Sequence, residues 1–569
     1  MQPHEPMERH PADGPSPRVE RRWLALLFAM AFLLLTVGLG KSGFEGRDER
    51  RYARVAFEVG PGEDFFVMHF MGELYPDKPP LMFWSQALAY RLTGGLSPLG
   101  ARLPLVPYTL GALAFAYFAM RRLGGARVAL LALAMLTVAF RFAHSGRFAR
   151  LDMAMCCFTF GSFWATARIL FPYAGERAAG LGVVLWGWAA AGLAILAKGP
   201  GFLVWWIALG AFAAARRDWS VVRAHRPLLG VPVMLAVPAL WFVPAALLGG
   251  MDYIGPMVGT HVVERAIGAV RHEEPFHYFW HKILYDSAPV GPVLPFAAWL
   301  LWSGRRALRE RPGLQFAALW LLLGLVFFSL PTGKRSLYIL PLYPAAALLA
   351  AHTLWAAQER AHRGVARGLW LMQWGASALL LLAAPMLLWL TFGFGEGLRE
   401  SPPAWVNAGF ALPIALAAGA SLLQLKRGRL VASMACLVLA VHPAYWWLHA
   451  ALFPINRDDT VAREMAARIE ADGGAGAAAA VLEPASDHHT IYGRFPSFEF
   501  DNNGEARTWL LAAPGRFLIT SKERLEEFRA NPATPPLRSH GVWFDPQRGR
   551  DFAIVSVAPP AAEGDGTDD

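Results

Sequence analysis

Apolar stretches of about 17–24 residues recur along this chain, about thirteen of them, each able to cross a bilayer core of roughly 30 Å at ~1.5 Å per helical residue. They cover 23–40, 101–120, 126–142, 151–170, 180–197, 201–215, 228–248, 288–303, 314–330, 338–356, 369–391, 404–424 and 430–452. The run at 201–215 is the weakest on length. After residue 455 the pattern stops and a mixed tail runs to Asp569. Only 17% of the residues are charged and 55% are hydrophobic, which sets the chain apart from soluble domains. The expected class is a polytopic α-helical membrane protein.

Charge sets the expected orientation. With the N-terminus in the cytoplasm, the inner loops include RRLGGAR (121–127), RRDWSVVRAHR (216–226), RRALRER (305–311), ERAHRGVAR (359–367) and KRGR (426–429). Nearly every basic cluster then lies inside, as the positive-inside rule requires. The net charge of +10 belongs to these loops and does not mark a nucleic-acid binder. An odd number of spans puts the tail on the outer, periplasmic side of an inner membrane. The first run is too long for a signal-peptide h-region, and GLGKSGF offers no small-x-small cleavage site. Cys156, Cys157 and Cys436 all fall inside expected spans and read as small buried hydrophobes.

The expected domains are a disordered leader (1–22), a membrane body (23–455) and a C-terminal α/β domain (456–569) with a disordered end. In the first outer loop, Tyr52, Val55, Ala56 and Val59 have helical spacing, and LMFWSQALAYRL (81–92) follows two prolines. Both suit helices lying along the membrane surface. The second outer loop, 249–287, is rich in His, Arg and aromatics. In the tail, VAREMAARIEADG (461–473) reads as a helix, and AAAAVLEP, RFLIT and FAIVSV read as short buried strands.

The outer loops also gather charge beside the lipid-embedded body, where charge is expensive and usually functional. Asp48 and Glu49 follow the first span, against a plainer reading as an interfacial pair balancing Arg47, Arg50 and Arg51. Lys78 lies between Asp77 and two prolines that hold the backbone extended; the plainer reading is a snorkelling lysine. Asp152 heads an apolar span, with Arg147 or Arg150 as structural partners. Lys198, and Lys334 with Tyr338, sit at outer span ends. His261 and Arg265 are four residues apart, hence on one face of a helix. A transferase using a lipid-phosphate-linked sugar needs an acceptor-activating carboxylate, cations or a metal for the departing phosphate, an apolar groove and a site at the membrane surface. This set supplies all of these on one side.

The segments DERRYA (48–53), DKPPLMFW (77–84), ARLPL (101–105), GRFARLDM (146–153), LAKGP (196–200), HVVER (261–265) and FFSLPTGKRSLYILPLYP (327–344) occur in an order that resembles the bacterial protein-mannosyltransferase-like glycosyltransferases. The nearest resemblance is to those that place 4-amino-4-deoxy-L-arabinose on lipid A. It extends over about 1–455, and HHTIYGRFPSFEFDN (488–502) is similar to that family's outer domain. The resemblance implies a GT-C architecture with amphipathic periplasmic helices in the first outer loop. It implies that Asp48 is the catalytic carboxylate, with Asp152 a second functional acid and Glu49 adjacent. It implies that Lys78, Lys198, Arg265 and Tyr338 lie near the donor phosphate, and Lys334, a cation at the same span end as Tyr338, is expected to join them. Asp77 and His261 would hold a divalent ion such as Zn, Mg or Mn, although DKPP here replaces the EKPP usual in the aminoarabinose enzymes.

The function expected is inverting transfer of an aminoarabinose-like pentose or a hexose from undecaprenyl phosphate to lipid A or another periplasmic acceptor. A transferase acting on protein or another envelope glycan is the alternative within the family, and a polyprenyl-phosphate flippase the alternative outside it. Partners would be the lipid-linked donor, the acceptor and bilayer lipids, with no nucleic acid and the chain a monomer.

Overall fold

The computed structural model describes residues 15–199, 201, 203–258, 274–359, 363–389, 402–452, 460–482, 492–493, 495, 497–500, 502–545 and 550–558. The expectations for His261, Arg265, residues 488–491, 494, 496 and 501, and the ends 1–14 and 559–569 lie outside these residues, while the expected leader is already helical from Pro17. A backbone surrounded by lipid must satisfy its own hydrogen bonds, and apolar runs therefore fold as helices.

The first helix is α1 (Pro17–Thr36), capped by the Ser16 hydroxyl, which accepts from the Val19 amide. Then come α2 (Gly46–Phe57) and α3 (Leu81–Thr93), separated by a hairpin of β1 (His69–Phe70) and β2 (Glu73–Leu74). The chain continues through α4 (Pro98–Arg102), α5 (Leu105–Gly124), α6 (Ala126–Thr137), α7 (Phe140–Ser145), α8 (Asp152–Leu170), α9 (Leu181–Ala197) and α10 (Leu203–Arg216). Next are α11 (Ser220–Ala224), α12 (Pro227–Val258), α13 (Tyr278–Asp286), α14 (Leu294–Ser303), α15 (Arg305–Leu308) and α16 (Pro312–Ser329). The body closes with α17 (Tyr343–Gln358), α18 (Arg363–Trp389), α19 (Ala404–Lys426) and α20 (Leu430–Trp447).

Each of the thirteen apolar runs falls wholly or mainly on one or more of these helices. Among the described residues, 8 helices are long and apolar enough to cross a membrane, and 4 apolar helices are shorter. One of the short ones, α6, extends only about 18 Å against a core of roughly 30 Å. The number of complete spans is therefore a proposal rather than a reading. The layering is plain. The stretch Ser336–Gln358 is 89% buried over its most apolar window, against 17% for Pro227–Met257. The first is a central post; the second turns Leu240 and Leu247 outward, as a lipid-facing helix does. Gly250, with φ 60° and ψ −161°, breaks α12 before its last turns, a conformation costly for residues with a Cβ.

The α2–α3 layer positions the charged residues. Gly46, at φ 66°, turns the chain into α2. Tyr52 packs on Phe83 and Phe57 on Tyr90, with ring centroids 5.9 and 6.3 Å apart, so the two helices run side by side in the same direction. The Tyr90 hydroxyl fixes the register by donating to the Ala53 carbonyl at 3.2 Å.

The tail holds α21 (Thr460–Gly473), β3 (Ala478–Val481), β4 (Ser497–Glu499), α22 (Asn503–Leu511), β5 (Arg516–Ser521), α23 (Lys522–Ala530), β6 (Leu537–Asp545) and β7 (Arg550–Val557). Its strands form one sheet in the order β4-β3-β5-β7-β6. The strand β3 runs parallel to β4 and β5, while β7 is antiparallel to β5 and β6. Met465 and Ile469 of α21 pack with Phe517 and Ile554, and Leu510 and Phe528 pack with Leu518 and Val555. The tail meets the body where the Arg54 guanidinium donates to the Gly493 carbonyl and Phe44 packs on Tyr492 at 5.9 Å.

Candidate active site

Asp48 stands in the first turn of α2, where the helix dipole favours an anion. Its side chain is 31% exposed, and Oδ2 accepts from Arg335 Nη1 at 2.8 Å. Tyr52 lies one turn further along α2, hence on the same face. Burial pushes the Tyr52 hydroxyl above its ordinary pKa, and the charges of Asp48 and Asp152 push it further. Tyr52 is thus within electrostatic reach of both carboxylates and keeps its proton. Burial also raises the Tyr75 hydroxyl, and Tyr52, Asp77 and Asp48 add to the shift against Arg51. Burial alone would lower the Arg335 guanidinium, but Asp48, Tyr338 and Tyr52 outweigh it.

Asp152 is the first residue of α8 and is buried. Its partner is Lys198, at the end of α9, rather than Arg147 or Arg150. Arg147 is used elsewhere: it donates to the carbonyls of Leu34 and Val37, the latter at 2.7 Å. The Lys198 ammonium also lies 5.3 Å from the centre of the Tyr338 ring. Three separate elements thus bring Asp152, Lys198 and Tyr338 together, and Tyr52 joins them to Asp48. Lys78 is half-buried and donates to its neighbour's carbonyl, Asp77 O, at 2.9 Å, just ahead of Pro79, Pro80 and α3.

Two residues stand apart. Glu49 is fully buried, and so is not half of a solvated interfacial pair. Its carboxylate takes a fork from Arg102, Nε to Oε1 and Nη2 to Oε2, both at 2.9 Å, and also accepts from the amides of Glu45 and Ala149, the latter at 2.7 Å. Burial would raise its pKa, but the Arg102 charge and these hydrogen bonds prevail and hold it below the ordinary value of 4.5. Arg102 spends its remaining donors on Leu39 O, Ser42 O and Oγ, and Gly43 O. Lys334, 4% exposed, donates to the Glu274 carbonyl at 2.7 Å, so at this turn it is Arg335 that reaches the Asp48 face.

In the sequence Tyr52 stands out only through the helical spacing of 48–59, and Arg102 and Arg335 only as parts of longer segments. The four-residue step from Asp48 to Tyr52 was the usable signal. Nothing local distinguishes Lys334 from Arg335. Of the pair expected to hold a metal, Asp77 is described and His261 lies outside the described residues. Among the described residues, no three His, Cys, Asp or Glu side chains converge as a metal cage. The arrangement joins a half-exposed carboxylate, an acid–base ion pair and protonated tyrosines at one end of the bundle. It can accept a hydroxyl proton and neutralise a phosphate.

Residues 77–242 match the dolichyl-phosphate-mannose-protein mannosyltransferase family. The undecaprenyl phosphate-alpha-4-amino-4-deoxy-L-arabinose arabinosyl transferase of Pseudomonas paraeruginosa is 31% identical over 372 residues, 64% of each chain. Its counterpart from a Pseudomonas aeruginosa strain is 32% identical over 373 residues, again 64% of each. The chain therefore matches slightly under two thirds of those relatives' length. The crystal structure of ArnT from Cupriavidus metallidurans bound to undecaprenyl phosphate superposes with a TM-score of 0.75 at 22% identity, covering 94% of this chain and 98% of that one. Its apo form gives 0.72, covering 95% and 100%. The chain thus has the fold of those two ArnT structures, and its residues 77–242 match the mannosyltransferase family model.

Proposed function

We propose that this chain transfers a sugar from a polyprenyl-phosphate carrier to an acceptor at the outer face of the inner membrane, with inversion at the anomeric carbon. The observation that carries the reading is the polar cluster in which the Tyr52 hydroxyl feels both half-exposed Asp48 and Asp152, the latter paired with Lys198 beside Tyr338. Asp48 takes the proton of the acceptor hydroxyl. The acceptor oxygen bonds to the anomeric carbon as the bond from that carbon to the phosphate oxygen breaks. The phosphate leaves on its lipid, met by Lys78, Lys198 and Tyr338, with Arg265 completing the set; buried Lys334, tied to the Glu274 carbonyl, takes no part. Arg335 holds Asp48 in orientation, and Asp152 holds Lys198. Glu49 acts as a strut rather than as an acid or base. A divalent ion, if held by Asp77 and His261, would add charge neutralisation at the phosphate.

The relatives' names favour an undecaprenyl phosphate donor carrying aminoarabinose. Lipid A is the acceptor we favour, and protein or another envelope glycan is the second reading, which the match to the mannosyltransferase family supports. The chain would act as a monomer in the inner membrane with its tail outside. A flippase reading is less favoured because the charges cluster at one end of the bundle rather than at mid-membrane. Mass analysis of lipid A from cells with and without the gene tests the proposal. A pentose-sized mass increment that depends on the gene supports it; identical lipid A profiles move the acceptor to protein or another glycan.

A further inference from the structure

We infer that His277 and His281 form a zinc-class metal site at the exposed start of α13, independent of the transfer chemistry above. His277 is the cap residue of α13, with φ −78° and ψ 0°, so helical spacing already applies across the pair. Residues four apart lie on one face of a helix. Both histidines are exposed, and their ring centroids are 5.8 Å apart. Two imidazoles on one tetrahedral zinc, with Zn–N of about 2.0–2.1 Å, have ring centres roughly 5–5.5 Å apart. A small side-chain rotation closes the difference.

The second observation is orientation. His281 Nδ1 lies 3.2 Å from the His277 carbonyl, which can only accept, so the proton is on Nδ1. That leaves Nε2 as the acceptor nitrogen of an exposed ring. Ligating histidines are typically fixed in this way, by donating their other N–H to a backbone carbonyl. Lys282, the nearest cation in sequence, is turned aside against Tyr278 and Tyr285, at 5.4 and 4.9 Å from the ring centres. The remaining coordination positions are open to water. A bound ion would brace the first turn of α13 and the segment leading into it from Glu274, whose carbonyl receives Lys334.

The test uses the purified full chain in detergent, stripped with a chelator and titrated with Zn2+ against a zinc indicator. Wild type should bind an equivalent of zinc that His277→Ala, His281→Ala and the double variant lose, while Asp77→Asn keeps it. Cu2+ in place of zinc should give an EPR spectrum with two coordinating nitrogens in wild type and fewer in each single variant. Zinc should raise the thermal midpoint of wild type but not of the double variant, which also reports that the variant is folded. Unchanged zinc stoichiometry and affinity in the double variant would overturn the site. So would loss of the signal in Asp77→Asn with retention in the double.

Discussion

Neighbouring acids with opposite surroundings decide what each can do. Asp48 faces the pocket with one charged partner, whereas Glu49 points about 100° away around the helix into a fully buried set of donors. We expect Asp48→Asn to keep the fold and lose transfer by roughly 10²–10⁴-fold, the range typical of a general base. Turnover of labelled donor measures this, and wild-type rates in Asp48→Asn would move the base elsewhere. Glu49→Gln should act on stability instead. Removing one partner strands the buried Arg102 charge, at a cost of about 3–5 kcal/mol, read as a lower thermal midpoint in detergent at pH 7. The pH dependence follows from the sign of the shift. The folded-state pKa of Glu49 lies below its ordinary 4.5, so its contribution is complete above that value and is lost as pH falls through the folded value. Wild type should therefore lose stability on acidification below about pH 4.5 more steeply than Glu49→Gln, and parallel profiles would remove the strut. Lys78→Ala should weaken donor use, with Lys78→Arg recovering only part, since a compact ammonium and a planar fork meet a phosphate differently. Normal turnover at limiting donor in Lys78→Ala would show that this lysine only anchors.

Helix packing rests on positions that admit no side chain. A Cβ at Gly192 of α9 would lie 2.5 Å from the Met234 carbonyl of α12, and one at Gly230 would lie 1.9 Å from Trp188 Nε1. That indole donates to the His225 carbonyl at 2.7 Å and anchors the turn between α11 and α12. Gly230→Ala must therefore push α12 away from α9, at about 1–3 kcal/mol for overpacking. Gly210→Ala, where a Cβ meets nothing within 4 Å, is the control. Thermal midpoints of the two variants should separate, and equal values would show that α12 shifts freely. Helix positions were legible in the sequence because period and apolar length are local. The spacing of Tyr52, Val55, Ala56 and Val59 anticipates α2, and the residues after Pro80 anticipate α3. Apart from the Glu45 amide, the partners of Glu49, Asp152 and Arg147 were not legible, since each is set by packing between segments 46–113 residues apart. Arg102 shows the limit best: ARLPL reads as the foot of a span, yet its arginine holds the carboxylate beside Asp48.

At the scale of the molecule, the polar residues sort to opposite ends of the bundle. At one end Arg121 pairs with Glu20 of α1, Arg122 with Glu176, and Arg216 donates to the Arg309 carbonyl at 2.6 Å. At the other, Asp48, Asp152, Lys198 and Arg335 meet. The tail belongs to this second end, because Arg54 and Phe44, flanking the Asp48 turn, contact Gly493 and Tyr492. The arginine-rich end should face the cytoplasm by the positive-inside rule, which places the tail outside together with the candidate site. An odd number of spans would give the same answer, and both rest on where the arginine clusters fall. Alkaline phosphatase fused after Asp569 should be active and a green fluorescent protein fused there dark, while a fluorescent fusion truncated within 216–226 should glow. A bright C-terminal fluorescent fusion would require an even number of spans. It would also set the tail against the arginine-rich end, which the contacts of Arg54 and Phe44 forbid, and so would overturn the assignment of the Asp48 end to the outer face.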